Sequence, residues 1–217
     1  RRKFLKTEAT EASHVQDIVQ RIGLCYPTLG VRYVRDGRTV SEYAPGSTLR
    51  QRVRDVFGPQ YSDGLQDVLV PGAFGLDGVL GNPAHARSTP RHYHIFINGR
   101  YVRDRVVMSA VQQAYGTRLD RGKHPFVVLR LRMPAQAVDV NVHPAKTEVR
   151  FAESRSVHRL VARALDMALR DTGSESRPVV AALDPRTSSG IAPPVAAVRP
   201  PPDSPPTGGR SQQRQRI

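Results

Sequence analysis

The stretch "RHYHIFINGRYVRDR" (residues 91–105) constrains the fold of this chain more than any other. Asn98-Gly99 is a pair that tolerates the positive φ of a two-residue hairpin turn, so a strand must reverse on itself there. Asp104 then stands where a helix needs a cap. Val107, Val111 and Ala114 follow on one face, and Gly116 closes the helix after Tyr115. "FVVLRLRM" reads as the next strand, with Arg130 and Arg132 on its polar side. The order strand, helix, strand gives the centre of the chain an α/β character.

The flanking segments extend this pattern. Residues 8–25 read as an amphipathic helix with Val15, Ile18, Val19 and Ile22 on its apolar stripe and Glu8 and Glu11 near its start. "VRYVRDGRTVSEY" reads as a hairpin turning at Asp36-Gly37. Ser47 is expected to cap a short helix carrying Leu49, Val53 and Phe57. Residues 65–81 read as two short strands. "VDVNVHPAKTEVRF" (138–151) alternates up to His143, breaks at Pro144 and resumes at Val149 and Phe151. A last helix from Ser154 to Arg170 turns Val157, Leu160, Val161, Ala164, Leu165 and Leu169 inward. The expected architecture is an α/β sandwich, one sheet with helices mainly on one face.

From Thr172 the composition changes. This part holds half of the 18 prolines and no aromatic residue, so it buries too little apolar surface to offset chain entropy. It is expected to be a disordered linker or tail. The chain also opens on "RRKFLK" without an initiator Met, which suggests a piece of a longer protein. No apolar run approaches the ~18 residues of a membrane span. Cys25 is the only cysteine, so one chain can form no internal disulfide, which suits a reducing cytoplasm.

The net charge of +14 favours a polyanionic partner such as nucleic acid or an acidic membrane surface. Of 33 basic residues only Lys3, Lys6, Lys123 and Lys146 are lysine. Arg100, Arg103 and Arg105 surround the Asn98-Gly99 turn and the helix start, where the macrodipole disfavours cations. A phosphate backbone across the turn would resolve that conflict; a solvated charged turn is the other reading. His143 has no second ligand at a metal-binding spacing, and His92 and His94 share a strand face without forming a metal pattern. Lys146, held behind Pro144, is either a solvated loop lysine or a point charge for a phosphate site.

"RRKFLKT", "IFINGRYVRDR" and "VDVNVHPAKTEVRF" together resemble three signature stretches of the MutL family of DNA mismatch-repair proteins, in order over residues 1–170. The resemblance implies a division into the end of an ATP-binding domain with its connecting helix (1–26), a transducer domain like the second domain of ribosomal protein S5 (27–171), and a Pro-rich linker (172–217). It implies that Lys146 reaches the γ-phosphate of ATP, and that Arg105, with Arg100 and Arg103 as further candidates, binds DNA without sequence preference. ATP and Mg2+ would be held mainly by residues outside this chain, because E-x-x-x-N, D-x-G-x-G and a glycine-rich lid are missing from it. The chain alone is therefore not expected to hydrolyse ATP; an intact protein would be an ATPase, with endonuclease activity left open. A mismatch-recognition protein of the MutS type, a homodimer at full length and a bacterial cytoplasmic, nucleoid-associated location complete what the resemblance implies. Two other readings stay open: the transducer of a type II topoisomerase, and a stand-alone S5-like basic module that binds RNA or DNA.

Overall fold

The computed structural model describes residues 7–140, 148–170 and 179–180. Helix α1 (Glu8–Cys25) begins at Thr7, whose Oγ1 accepts from the Thr10 amide, with Glu8 and Glu11 in the first turn. Strands β1 (Val31–Arg35) and β2 (Arg38–Tyr43) form an antiparallel hairpin. Its turn residues Asp36 and Gly37 have φ of +52° and +74°, the left-handed pair that Asp-Gly tolerates. Helix α2 (Leu49–Phe57) is capped by Thr48 rather than Ser47. Thr48 and Gln51 form a reciprocal capping box, whereas the Ser47 hydroxyl donates to the Ala44 carbonyl. The box needs a Gln or Glu three residues on, and only Thr48 has one.

The main sheet contains β3 (Gln66–Val70), β4 (Gly75–Leu80), β5 (Tyr93–Ile97), β6 (Arg100–Val102) and β7 (Val127–Arg132). Helix α3 (Arg105–Tyr115) lies between β6 and β7 in sequence. Strands β8 (Val138–Asp139) and β9 (Arg150–Phe151) pair antiparallel, and helix α4 (Ser154–Arg170) follows. A two-residue strand β10 (Val179–Val180) pairs parallel with β3, an exception to the expectation of disorder from residue 172 onward. The sheet order is β10-β3-β4-β7-β5-β6; the β5–β7 pair is parallel like β10–β3, and the β3–β4, β4–β7 and β5–β6 pairs are antiparallel.

Alternation along the strands divides the apolar residues between two faces. Val68, Val70, Leu76, Leu80, Tyr93, Ile95, Ile97, Val127, Leu129 and Leu131 share the larger core with α3 and α4. Small residues line the helix pair: Ala110, Ala114, Ala164 and Ala168 are all buried, which lets α3 and α4 approach closely. A smaller cluster on the opposite face joins Val79, Phe96, Phe126 and Val128 to Leu24 and Cys25 of α1 and Val53 of α2. The two longest helices of the sheet body thus lie on one face, as expected.

The stripe of α1 is where the sequence reading needs correction. Val15, Ile18 and Ile22 are 41%, 53% and 42% exposed, and only Gly23, Leu24 and Cys25 of this helix are buried. Tyr26, Leu29, Val34 and Val40 are exposed as well, so the large exposed apolar side chains among the described residues all fall between positions 15 and 40. Periodicity identified an apolar face correctly, but nothing among the described residues covers it.

Candidate nucleic-acid interface

The β5–β6 hairpin aims the start of α3. Asn98 and Gly99 adopt φ of +49° and +79°, the turn that the sequence requires. The Asn98 side chain also locks the hairpin to the end of β7. Its Nδ2 donates to the Met133 carbonyl at 2.9 Å, and its Oδ1 accepts from the Met133 amide at 3.0 Å. Two residues beyond β6, Asp104 Oδ1 accepts from the Val106 and Val107 amides at 2.8 and 3.0 Å and opens α3. Burial pushes the Asp104 carboxyl above its ordinary value, opposed by those two N–H groups, and Glu148 adds to the rise. Glu148 therefore lies close enough to the start of α3 to act on its cap.

The structure gives Arg100, Arg103 and Arg105 three different surroundings. Arg100 is exposed on edge strand β6, opposite Ile97. Arg103 turns toward α1: its Nε donates to the Tyr101 hydroxyl at 3.4 Å, and Arg21 stacks 4.0 Å from the centre of the same ring. That hydrogen bond raises the Arg103 pKa further, so the group stays charged. Arg105 stands in the first turn of α3 and lines a cleft of about 670 Å3.

The other wall of this cleft is the start of α4. Arg105, Val106 and Ser109 face Ser154, Arg155, His158 and Arg159. No carboxylate lines it, and neither helix carries an acidic residue in its first turn. Three guanidinium groups therefore share one space at the starts of two helices, the first capped by Asp104, a field that favours a polyanion. Arg155, His158 and Arg159 are absent from the sequence-derived site. Their signal was present as a second, polar face at i, i+3 and i+4 on α4, but the 50-residue separation from Arg105 hid the juxtaposition.

Lys146 and His143 lie outside the described residues. On either side of them, β8 and β9 pair, and Val138, Val149 and Phe151 are buried in the main core. Among the described residues no three His, Cys, Asp or Glu side chains are grouped to hold a metal ion. No helix among them is long and apolar enough to cross a membrane.

The fold is shared with solved DNA-repair chains. A crystal structure described as the N-terminal domain of a DNA repair protein superposes with a TM-score of 0.61 at 19% identity, over 76% of this chain and 55% of that one. The ATPase domain of the bacterial mismatch repair endonuclease Aquifex aeolicus MutL superposes with a TM-score of 0.52 at 20% identity, again over 76% and 55%. These likenesses establish the class: an α/β sandwich of the ribosomal protein S5 domain 2-like type. Residues 53–170 match the family model described as DNA mismatch repair protein, C-terminal domain. MutL of Geotalea daltonii is 40% identical over 190 residues, 87% of this chain and 32% of the relative. MutL of a Neisseria meningitidis serogroup A strain is 39% identical over 176 residues, 81% and 27% respectively. The chain belongs to the MutL family of DNA mismatch-repair proteins and spans about a third or less of the length of these relatives.

Proposed function

We propose that the chain is the transducer part of a mismatch-repair ATPase that takes the phosphodiester backbone of DNA, irrespective of sequence, in the α3–α4 cleft. The observation that carries this reading is the convergence of Arg105, Arg155, His158 and Arg159 at two helix starts with no carboxylate among them. Guanidinium groups bind phosphate oxygens bidentately, and three of them reach this one cleft. Among the described residues the cleft presents mainly cations, which suit phosphate contacts that carry no sequence information. Arg100 and Arg103 contribute on the flank, Arg103 through the cationic surface it forms with Arg21.

The nucleotide half of the reading rests on the likeness of "VDVNVHPAKTEVRF" to the family signature. Lys146 presents its ammonium to the γ-phosphate of an ATP held, with Mg2+, by residues outside this chain; such a charge stabilises phosphoryl transfer. ATP contact and DNA contact on one body couple nucleotide state to the recruitment of downstream repair factors. At full length the protein acts as a homodimer with a mismatch-recognition partner of the MutS type. The uncovered apolar residues between positions 15 and 40 support assigning both α1 and the β1–β2 hairpin to the ATP-binding domain. The transducer then begins near Ala44 rather than at residue 27, and the linker follows α4.

The cleft is tested by anisotropy titration of a duplex oligonucleotide at rising salt. Three phosphate contacts give a slope of log affinity against log salt of about −2.7, and Arg105→Glu flattens it by about one contact or more. An unaltered slope would remove Arg105 from the interface. Tighter binding of structured RNA than of duplex DNA would favour the stand-alone RNA-binding module instead.

A further inference from the structure

Arg52, in the middle of α2, is fully buried. Its Nη2 donates to the carbonyls of Pro27, Leu29 and Ala44 at 2.5, 2.9 and 2.7 Å. The Tyr43 ring backs the guanidinium, with Cζ 5.0 Å from the ring centre. These carbonyls belong to two passages of the α1–hairpin unit: the link inside it, from α1 to β1, and its exit from β2 toward α2. Pro27 and Leu29 lie between α1 and β1, and Ala44 immediately follows β2.

The arrangement is a poor way to gain stability. Among the described residues Arg52 Nε and Nη1 are buried without a hydrogen-bond partner, while three acceptors share the two protons of Nη2. The acid that acts on it electrostatically, Asp55, is exposed on the helix surface. An apolar side chain of similar volume would fill the site without burying a charge. What the guanidinium supplies is geometry, since three carbonyls from two chain passages must converge on one point.

A second cation repeats the device. Arg130 of β7, held by Asp77 of β4, donates from Nη1 to the Cys25 carbonyl at 3.2 Å. The Cys25 thiol donates in turn to the Gly99 carbonyl at 3.5 Å. The end of α1, the α1–β1 link and the exit from β2 are thus tied to α2 and the sheet by buried or half-buried cations.

We infer that Arg52 is a positioning residue that makes the α1–hairpin unit and the sheet body move together, so that nucleotide state on one side alters DNA affinity at the α3–α4 cleft on the other. This rests on the reading given under Proposed function. A ligand couples two sites only through elements whose relative position it changes, and a fixed joint transmits such a change where a loose one absorbs it.

The test measures duplex affinity of the intact protein with and without ATP, for the unaltered protein and for Arg52→Met. In the unaltered protein ATP changes DNA affinity by about tenfold. Arg52→Met retains the affinity for each ligand alone but reduces that ratio to within about twofold. Arg52→Lys, which keeps the charge and reaches fewer carbonyls, restores part of the ratio and carries the test if Arg52→Met does not fold. A ratio undiminished in either variant overturns the positioning role alone. A ratio near one in the unaltered protein overturns the coupling under Proposed function, and this inference with it.

Discussion

His94 offers a quantitative test of how α2 packs on the sheet. The side chain leaves β5 on the same face as Phe96 and meets the Phe57 ring at 5.0 Å and the Phe126 ring at 5.9 Å. Both ring nitrogens are buried and have no hydrogen-bond partner among the described residues. Burial, with smaller repulsions from His92, Arg21 and Arg103, pushes the imidazole from 6.5 down to about 3. The unfolded chain takes up a proton near 6.5, and the folded chain refuses it until pH falls near 3. The stabilisation is therefore complete above 6.5 and is lost as pH falls toward 3. The whole gap is worth about 5 kcal/mol, of which about 2 kcal/mol disappears between pH 7 and pH 5. Urea unfolding of the chain and of His94→Leu at both pH values isolates this contribution, because His92 titrates in both proteins. The unaltered chain should lose about 2 kcal/mol more than the variant. Parallel losses would mean that the imidazole is not desolvated, and the packing of α2 over β5 would need revision.

Further expectations follow from capping and from the uneven burial of α1. Asp104→Ala removes the acceptor for the Val106 and Val107 amides and should cost about 1 kcal/mol by urea unfolding. If stability is unchanged, Asp104 is not holding the start of α3. Ile18→Glu, on the uncovered stripe, should change stability by less than about 0.5 kcal/mol, whereas Leu24→Ala should cost about 2–5 kcal/mol. Sedimentation should also show less self-association for Ile18→Glu; equal destabilisation by both changes would mean that the stripe is packed.

What was legible in the sequence divides along physical lines. The two hairpin turns could be read because Asp36-Gly37 and Asn98-Gly99 meet a local backbone requirement that few other residues meet. Helices α3 and α4 were legible because their apolar periods are buried as written. The stripe of α1 was not, since periodicity reports an apolar face and never what covers it. His92 and His94 could be placed on one strand face, but the desolvation of His94 depends on Phe57, 37 residues earlier. Arg52 left a trace that went unread. It falls three residues after Leu49 and four before Val56, on the apolar side of α2, where a charge needs an explanation. The cleft lay furthest from view because Arg105 and Arg155 meet only once α3 and α4 pack.

The most direct test of the central claim is an amide chemical-shift map of this chain titrated with a duplex oligonucleotide of arbitrary sequence at low salt. The account predicts perturbations concentrated in residues 105–109 and 154–159, with the same pattern for an unrelated duplex sequence. Perturbations confined to α1 and its hairpin, or to the aromatic cluster around Phe57 and His94, would contradict it and move the DNA site to another face.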